Sequence, residues 1–252
     1  MQDDNYNLET LVLGQSPVQR TAATPIRALA FTCTMGRPLF IRCCVLQMQQ
    51  QTYPVDHVIY VNHPEAQDRS DLYNYISLLE DIAPQHGTIT IRYGRSGTQQ
   101  FNHLQALALA AHNDYDLFLK IDDDDVYRRN YVRNIAIDHH KNRWDFSGTR
   151  AQGIIDGPKW GQRNCVRQLG MEPEDIRLGV IEMMPSSYAF SRKALNVIKE
   201  IPTDIDRNED ILWRRKLTSD EGIKVHFREH SGMAYHLHGK NVSTWDSYKT
   251  IL

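Results

Sequence analysis

The sequence predicts an α/β fold with a mixed, mostly parallel central sheet flanked by helices. Three observations lead to this prediction. Apolar runs of strand length alternate with helical segments from about residue 27 onwards, and this alternation is typical of parallel strands joined by right-handed crossovers. Polar turns follow several of the strands, where such sheets bind ligands. A chain of 252 residues, 41% of them hydrophobic, is also long enough to bury the core of one such domain.

The first half of the chain contains the elements that define this class. Apolar or β-rich runs of strand length occupy residues 27–34, 57–61, 88–93 and 116–121. Helices are predicted over residues 39–51, 68–82 and 98–112. The buried face of the third helix is predicted from the spacing of Phe101, Leu104, Ala108 and Ala111. The turns that follow the first, second and fourth strands should therefore lie on one rim of the sheet.

The second half has a looser pattern. A helix is predicted over residues 127–142, followed by an irregular stretch over 144–170 that contains Gly, Pro and Trp. Residues 180–190 are predicted as a strand, and Ser191 as the cap of a short helix. A further helix over 211–217 and closing strands over 224–227 and 233–237 complete the pattern. We expect one domain over residues 27–252 and a flexible arm over residues 1–26.

Composition excludes several functional classes. The 29 Lys and Arg residues nearly balance 31 Asp and Glu residues, which leaves no basic field for a nucleic-acid partner. No apolar stretch approaches the roughly 20 residues of a transmembrane helix, and residues 1–5 lack signal character. We therefore expect a cytoplasmic protein, with peripheral membrane association as its only membrane contact. The four cysteines have no metal-site spacing and are predicted to be reduced core thiols.

Four consecutive aspartates, Asp122 to Asp125, follow the fourth strand directly. Like charges this close repel one another unless a cation or hydrogen-bond donors neutralise them. Carboxylate oxygens select hard divalent cations, so the run predicts a Mg²⁺ or Mn²⁺ site on the ligand rim. The alternative is a solvated loop that caps the helix after it, because aspartates are favoured near a helix N-terminus.

These residues resemble the Asp-x-Asp-Asp element of family-2-like glycosyltransferases with the GT-A fold. Further similarities over residues 28–238 are the turn Phe31-Thr-Cys-Thr-Met-Gly-Arg-Pro38, the segment 47–53, and Asn208-Glu209-Asp210 before Ile-Leu-Trp-Arg-Arg215. The resemblance implies a single GT-A domain, the Rossmann-like fold of nucleotide-diphospho-sugar transferases. Residues 27–126 would bind the nucleotide sugar, most simply a UDP-sugar. Residues 127–252 would bind a glycan, glycolipid or other hydroxyl acceptor.

The resemblance assigns roles within the acidic run. Asp122 and Asp124 are implied to be the two carboxylates of the Asp-x-Asp motif, with Asp122 toward the ribose and Asp124 toward the metal and diphosphate. The resemblance also implies Asp122 as a second metal ligand. Asp123 is placed on the nucleotide side, with solvent contact or orientation of neighbours as its alternative. Four aspartates in a row also leave a one-residue shift of register open.

Nucleotide contacts are implied at the ends of the first two strands. Thr32, Thr34 and Arg37 follow or end the first strand, where the family binds base and ribose, and a guanidinium suits a diphosphate. Asn62 ends the second strand at a position where many family members carry an aspartate. This departure leaves the base unassigned, and the alternative for each residue is an ordinary turn position.

Two later motifs complete the implied site. Asp210 matches the catalytic base of the family, and Glu209 would hold or orient the acceptor. Both could instead simply cap the helix that follows. His236, with His238 as the alternative, is implied as the histidine that returns to the metal. A histidine satisfied elsewhere is the competing interpretation for both.

The predicted activity is inverting, non-processive, metal-dependent transfer of one monosaccharide to an acceptor hydroxyl. The inverting stereochemistry comes from the resemblance alone. Processive polymerisation is disfavoured because the Gln-x-x-Arg-Trp element is missing after Asp210. Two alternative functions have less support in the sequence. A sugar-phosphate nucleotidyltransferase lacks support because no Gly-rich phosphate loop follows the first strand, and a non-catalytic sugar-binding module would not need Glu209 and Asp210.

Overall fold

A computed structural model describes residues 10–13, 18–19, 21–34, 38–63, 87–95, 97–109, 115–149, 153–156, 166–167, 183, 185–205, 209–228 and 233–237. The strands in this part of the chain are β1 (Thr10–Leu13), β2 (Ala28–Thr34), β3 (Val55–His63), β4 (Ile89–Arg95), β5 (Leu117–Lys120), β6 (Val126–Tyr127), β7 (Phe146–Thr149), β8 (Gly153–Asp156), β9 (Val166–Arg167), β10 (Ala189–Ser191), β11 (Val225–Arg228) and β12 (Met233–Leu237). The helices are α1 (Pro38–Gln49), α2 (Gln99–Leu109), α3 (Tyr131–Asn142), α4 (Arg192–Ile198) and α5 (Glu209–Ser219), with a 3-10 helix at Pro185–Ser187.

Eight strands form the central sheet in the order β1-β4-β3-β2-β5-β10-β7-β11. Neighbours in the run β4-β3-β2-β5 are parallel, as are β7 and β11. β1 is antiparallel to β4, and β10 is antiparallel to both β5 and β7. The sheet is therefore mixed and mostly parallel, which confirms the predicted fold class.

Helices cover both faces of the sheet because the central strands are apolar on both sides. On one face, Phe31 and Phe118 belong to a buried cluster with Trp213, and this cluster includes residues of α2, α4 and α5. On the other face, Leu119 packs in a second cluster with Met48 of α1 and residues of α3. Alternate residues of β5 thus belong to opposite clusters, as the pleat of a strand requires.

A second, smaller sheet has the order β6-β12-β8-β9. β12 is antiparallel to β6 and parallel to β8. Two predictions for this region are wrong. Residues 144–170 are not irregular throughout, since β7, β8 and β9 lie within them, and the helix predicted from residue 127 begins at Tyr131 because Val126–Tyr127 pairs with β12.

Other predictions differ in detail. The arm predicted over residues 1–26 is not loose throughout, because Thr10–Leu13 pairs with β4 as an edge strand. Within the strand predicted over 180–190, the described residues 183 and 185–190 form a strand only from Ala189, because Pro185–Ser187 is a 3-10 helix. Ser191 does cap α4, since its side chain accepts from the Ala194 amide. The helix predicted over 68–82 lies outside the described residues.

The predicted buried face of α2 is only partly right, because Leu104 packs against the core whereas Ala108 does not, and Ala111 lies outside the described residues. Ala108 is exposed, whereas Asn102 and His103 are buried beside Ala106 and Leu107. Within the described residues, no helix is long and apolar enough to cross a membrane.

Candidate active site

The acidic run lies directly after β5, at the carboxyl end of a strand in the middle of the sheet. β2 and β3 run parallel to β5 and end on the same rim, at Thr34 and His63. Thr34 donates a hydrogen bond of 2.6 Å from Oγ1 to Oδ2 of Asp123, so the ends of β2 and β5 are in contact. Three parallel strands therefore deliver polar groups to one edge, where ligands bind in sheets of this kind.

Individual aspartates of the run have different surroundings. Asp123 and Asp125 are buried, whereas Asp122 and Asp124 are half-buried. The turn is fixed from both sides, because the Asp122 amide donates to the Tyr127 hydroxyl at 2.8 Å and Gln47 Nε2 donates to the Asp125 carbonyl at 3.3 Å. The run is thus a structured turn, and its alternate members Asp122 and Asp124 are its more exposed residues.

Lys120 forms an ion pair with the acidic run. Its Nζ atom lies 2.6 Å from Oδ1 of Asp122, and its side chain is only 6% exposed. Burial by itself would lower the pKa of Lys120, but the carboxylates of Asp122, Asp210 and Glu209 outweigh burial and raise it above its ordinary range. The lysine is therefore a fixed positive charge beside the predicted donor site.

Glu209 and Asp210 form the first turn of α5. Trp213 is fully buried one turn further on, and its Nε1 donates to Gln100 Oε1 of α2 at 2.6 Å. This bond anchors α5 against α2, and so fixes where the helix begins. Asp210 Oδ1 accepts from the Ile211 amide at 2.7 Å, which holds its carboxylate at the helix start.

Burial perturbs both carboxyl groups. Glu209 is 4% exposed, and its Oε1 lies 3.6 Å from Nδ1 of His103. Burial, followed by the charge of Asp210, raises the pKa of Glu209 to about 7 against the opposing charge of Lys120. Burial likewise raises the pKa of Asp210, again opposed by Lys120. Carboxyl groups with raised pKa values at a polar strand edge are the type of group that acts in acid–base catalysis.

The residues predicted to contact the nucleotide have different fates. Thr32 lies in the core at 1% exposure, and its hydroxyl shares a 2.9 Å hydrogen bond with His57 Nε2. Asn62 is half-buried, and in the described structure its Oδ1 atom is buried without a hydrogen-bond partner. Arg37 lies outside the described residues. Asn62 is thus the nucleotide candidate with an unused acceptor at the rim.

The predicted metal ligands are only partly described. Among the described residues, no group of three or more His, Cys, Asp or Glu side chains is arranged to hold a metal ion. His236 belongs to β12, where its backbone pairs with Ile155 of β8, but its side chain is not among those described. His238 lies outside the described residues. The third ligand of the predicted site therefore stays a prediction.

Two residues of the site were not found by sequence reasoning. Lys120 is the one charged residue within the apolar run Leu117–Lys120, and that break was its only signal. His103 gave no signal, because it is not among the apolar residues from which the buried face of α2 was predicted. Both positions become meaningful only once distant carboxylates are placed beside them.

Comparison with known proteins identifies the fold. No protein-family model matches the chain, and no curated protein does. Mannosyltransferase PcManGT from Pyrobaculum calidifontis, in complex with GDP-Man and Mn²⁺, is similar with a TM-score of 0.56 at 12% identity, over 95% of this chain and 63% of that chain. S. aureus TarS 1-349 in complex with UDP-GlcNAc gives a TM-score of 0.55 at 11% identity, over 90% and 64%.

The same TarS fragment in complex with UDP gives a TM-score of 0.54 at 10% identity, over 90% of this chain and 63% of that chain. The chain thus spans less than two thirds of the length of these solved structures. At this level of identity the similarity establishes the fold alone. The chain has the GT-A-like fold of these glycosyltransferases.

Proposed function

We propose that the protein transfers a monosaccharide from a nucleotide-diphosphate sugar to an acceptor hydroxyl, with inversion at the anomeric carbon. One observation carries the proposal. The acidic run after β5 and the Glu209–Asp210 pair at the start of α5 both interact with buried Lys120, since Asp122 binds its Nζ atom at 2.6 Å and the carboxylates of Asp122, Asp210 and Glu209 all raise its pKa. An acidic turn that can hold a metal and diphosphate therefore lies beside carboxyl groups suited to proton transfer, in a fold shared with nucleotide-sugar transferases.

The donor set fits a divalent cation. Asp122 and Asp124 offer hard carboxylate oxygens on the open side of the turn, as Mg²⁺ and Mn²⁺ require. The antiparallel register pairs Met233 with Tyr127 and Ala234 with Val126. β12 thus pairs with the strand that directly follows the acidic run and continues through His236 to Leu237, which supports His236 rather than His238 as the third ligand.

The nucleotide would lie along the ends of β2 and β3. Oδ1 of Asn62 is a buried acceptor for an N–H group of the base, and it replaces the carboxylate common in the resembled family. Asp122, held by Lys120, would accept from the ribose hydroxyls. Thr34 would act indirectly, because its hydroxyl donates a hydrogen bond that orients Asp123. The solved structures with GDP-Man and UDP-GlcNAc have different bases, so the base is left open.

Transfer then follows from the placement of Asp210. Its Oδ1 atom holds the Ile211 amide, so we assign Oδ2 to the acceptor hydroxyl proton. As the acceptor oxygen forms its bond to the anomeric carbon, Asp210 takes the proton, and the bond to the diphosphate oxygen breaks with its electron pair on the leaving group. A bound divalent cation supplies positive charge at that leaving group. Glu209 orients the acceptor from its buried position.

Thermal denaturation with a panel of GDP- and UDP-sugars, each with and without Mn²⁺, tests the proposal. We expect stabilisation by at least one donor only when Mn²⁺ is present, of about 2.7 kcal/mol at a donor concentration 100 times its dissociation constant. Asp124→Ala should fold normally and lose the effect. Asp204→Ala, at an exposed turn after α4, should keep it. Absence of a metal-dependent shift with every donor would remove the basis of the proposal.

A further inference from the structure

Lys120 is a buried cation in the centre of the sheet. It is the last residue of β5, between β2 and β10, and is 5% exposed. Its amide donates to the Tyr188 carbonyl at 3.0 Å, so its backbone position is fixed. Burying an ammonium group is costly unless opposite charges compensate it. The sequence nevertheless places this charge where Leu117 and Leu119, its neighbours along the strand, are fully buried.

The direction of the Lys120 side chain follows from the pleat. Leu117 and Leu119 belong to the cluster on the face of α1 and α3, whereas Phe118 belongs to the cluster on the face of α5. Alternate residues of a strand share a face, so Lys120 points with Phe118 toward the α5 face. The register places Lys120 beside Phe31, and the His103 ring lies edge-on to Phe31 at 6.1 Å.

His103 in turn contacts Glu209, at 3.6 Å between Nδ1 and Oε1. Lys120 is therefore connected to Glu209 at the start of α5 through two rings, those of Phe31 and His103. Its other partner is on the donor side, where Nζ and Oδ1 of Asp122 are 2.6 Å apart. The ammonium group of Lys120 thus lies between the Asp122 carboxylate on the donor side and the Glu209–Asp210 pair on the acceptor side.

The electrostatics agree with this geometry. Titratable and charged groups acting on or contacting the Glu209–Asp210 pair come from several elements, and they are Lys120 of β5, Asp122 of the acidic run, Cys33 of β2, His103 of α2 and Tyr188 before β10. Of the groups that act on both carboxyl groups, Lys120 is the one that lowers their pKa values, whereas burial and Asp122 raise them.

We propose that Lys120 is a positioning residue that joins the donor and acceptor sides of the site, holding the Asp122 carboxylate in place and presenting its positive charge to the Glu209–Asp210 pair. The catalytic meaning of this role rests on the proposed function. Asp122 is thereby committed to Lys120 at one oxygen, and Asp124 becomes the main candidate for the metal. Lys120 favours the ionised form of Asp210, the form that can accept a proton, because its ammonium group opposes the rise in pKa that burial causes.

The test uses Lys120→Met and Lys120→Arg, with Lys216→Met as the matched control. Lys216 forms an exposed ion pair with Glu200 at 3.6 Å, so its loss removes a lysine without touching the site. The primary measurement is a titration of the Glu209 and Asp210 side-chain carboxyl carbons by ¹³C NMR in protein without donor. In Lys120→Met both pKa values should rise by roughly one pH unit or more. Lys120→Arg should largely restore them, and Lys216→Met should leave them unchanged.

The kinetic counterpart separates positioning from simple support of the fold. In Lys120→Met the acid limb of the pH profile of kcat should move to higher pH in step with the NMR titration. A wild-type protein without transferase activity would sink the proposed function, yet the NMR titration would still decide the role of Lys120. Glu209 and Asp210 titrating in folded Lys120→Met as in the wild type would overturn the inference.

A second design covers failure of Lys120→Met to fold. Asp122→Asn removes the partner carboxylate, and the double variant Lys120→Met/Asp122→Asn leaves neither charge unpaired. Asp122 raises both pKa values of the pair, so Asp122→Asn should lower them. Addition of Lys120→Met in that background should raise them again. Equal titrations in the single and double variants would contradict the proposal as directly as the first result.

Discussion

We expect acid to destabilise the protein through His57 of β3, the strand next to the proposed nucleotide site. His57 in β3 is fully buried, and its Nε2 atom shares a hydrogen bond with Thr32 Oγ1 at 2.9 Å. Burial lowers the pKa of His57 to about 3, whereas an unfolded histidine titrates near about 6.5. Below about pH 6.5, His57 therefore binds a proton in the unfolded chain but stays neutral in the folded chain. The free energy of unfolding must fall as the pH drops through this range.

The magnitude follows from the two pKa values. Between them, each pH unit lowers the free energy of unfolding by about 1.4 kcal/mol for this one group, so acidification from about pH 8 to about pH 5 should cost about 2 kcal/mol. This figure depends little on the lower value, because about pH 5 is well above the folded pKa. Above the pKa of the unfolded histidine, His57 is neutral in both states and causes no loss of stability.

The assay is urea denaturation of the wild type and of His57→Gln at both pH values. Glutamine can keep a hydrogen bond to Thr32 but cannot titrate, so its loss between the two pH values should be smaller than that of the wild type by about 2 kcal/mol. His139, whose pKa is also lowered by burial, contributes equally to both proteins. His140→Gln, on the exposed surface of α3, is the control. An equal loss in His57→Gln and the wild type would refute the reasoning.

Other substitutions probe the site and its support. Asp210→Asn should reduce kcat by roughly 10²–10⁴-fold with donor affinity unchanged, as expected for loss of a general base, and near-full turnover would place the base elsewhere. Glu209→Gln should be milder and act mainly on the acceptor Michaelis constant, so a comparable fall in kcat would contradict its orienting role. Gly94→Ala would place a methyl group 1.6 Å from the Tyr60 hydroxyl and should destabilise the protein by about 1–3 kcal/mol through overpacking. Unchanged urea denaturation of Gly94→Ala would show that Tyr60 can move aside.

The strands around the site could be predicted because burial on both faces forces a continuous apolar run. The prediction over 116–121 and the observed Leu117–Lys120 differ by one residue at each end. β7 was missed for the opposite reason, since its sequence, Phe-Ser-Gly-Thr, contains one large apolar residue. Ser147 is buried there because Arg228 of β11 donates to it at 3.0 Å, a partner that no local pattern can indicate.

The same physical limit applies to the site. The acidic run and the Glu209–Asp210 pair are conspicuous in sequence because adjacent charges are unusual near buried segments. His103 could not be found this way, since its burial depends on Glu209 and Trp213 of a helix far along the chain. The apolar spacing of α2 therefore selected a buried face that is only partly right. What sequence reasoning missed was the set of polar residues whose partners lie on other elements.

The position of β12 makes the small sheet depend on residues that are far apart in the chain. β6 immediately follows the acidic run, yet its partner β12 comes from the far end of the described chain, and β8 flanks β12 on the other side. Contacts this distant in sequence close long loops, and closing a long loop costs conformational entropy. Because β12 lies between β6 and β8, the small sheet next to the acidic turn cannot form until β12 has docked. The edge that is proposed to bind the metal is therefore completed by the last strand of the described residues.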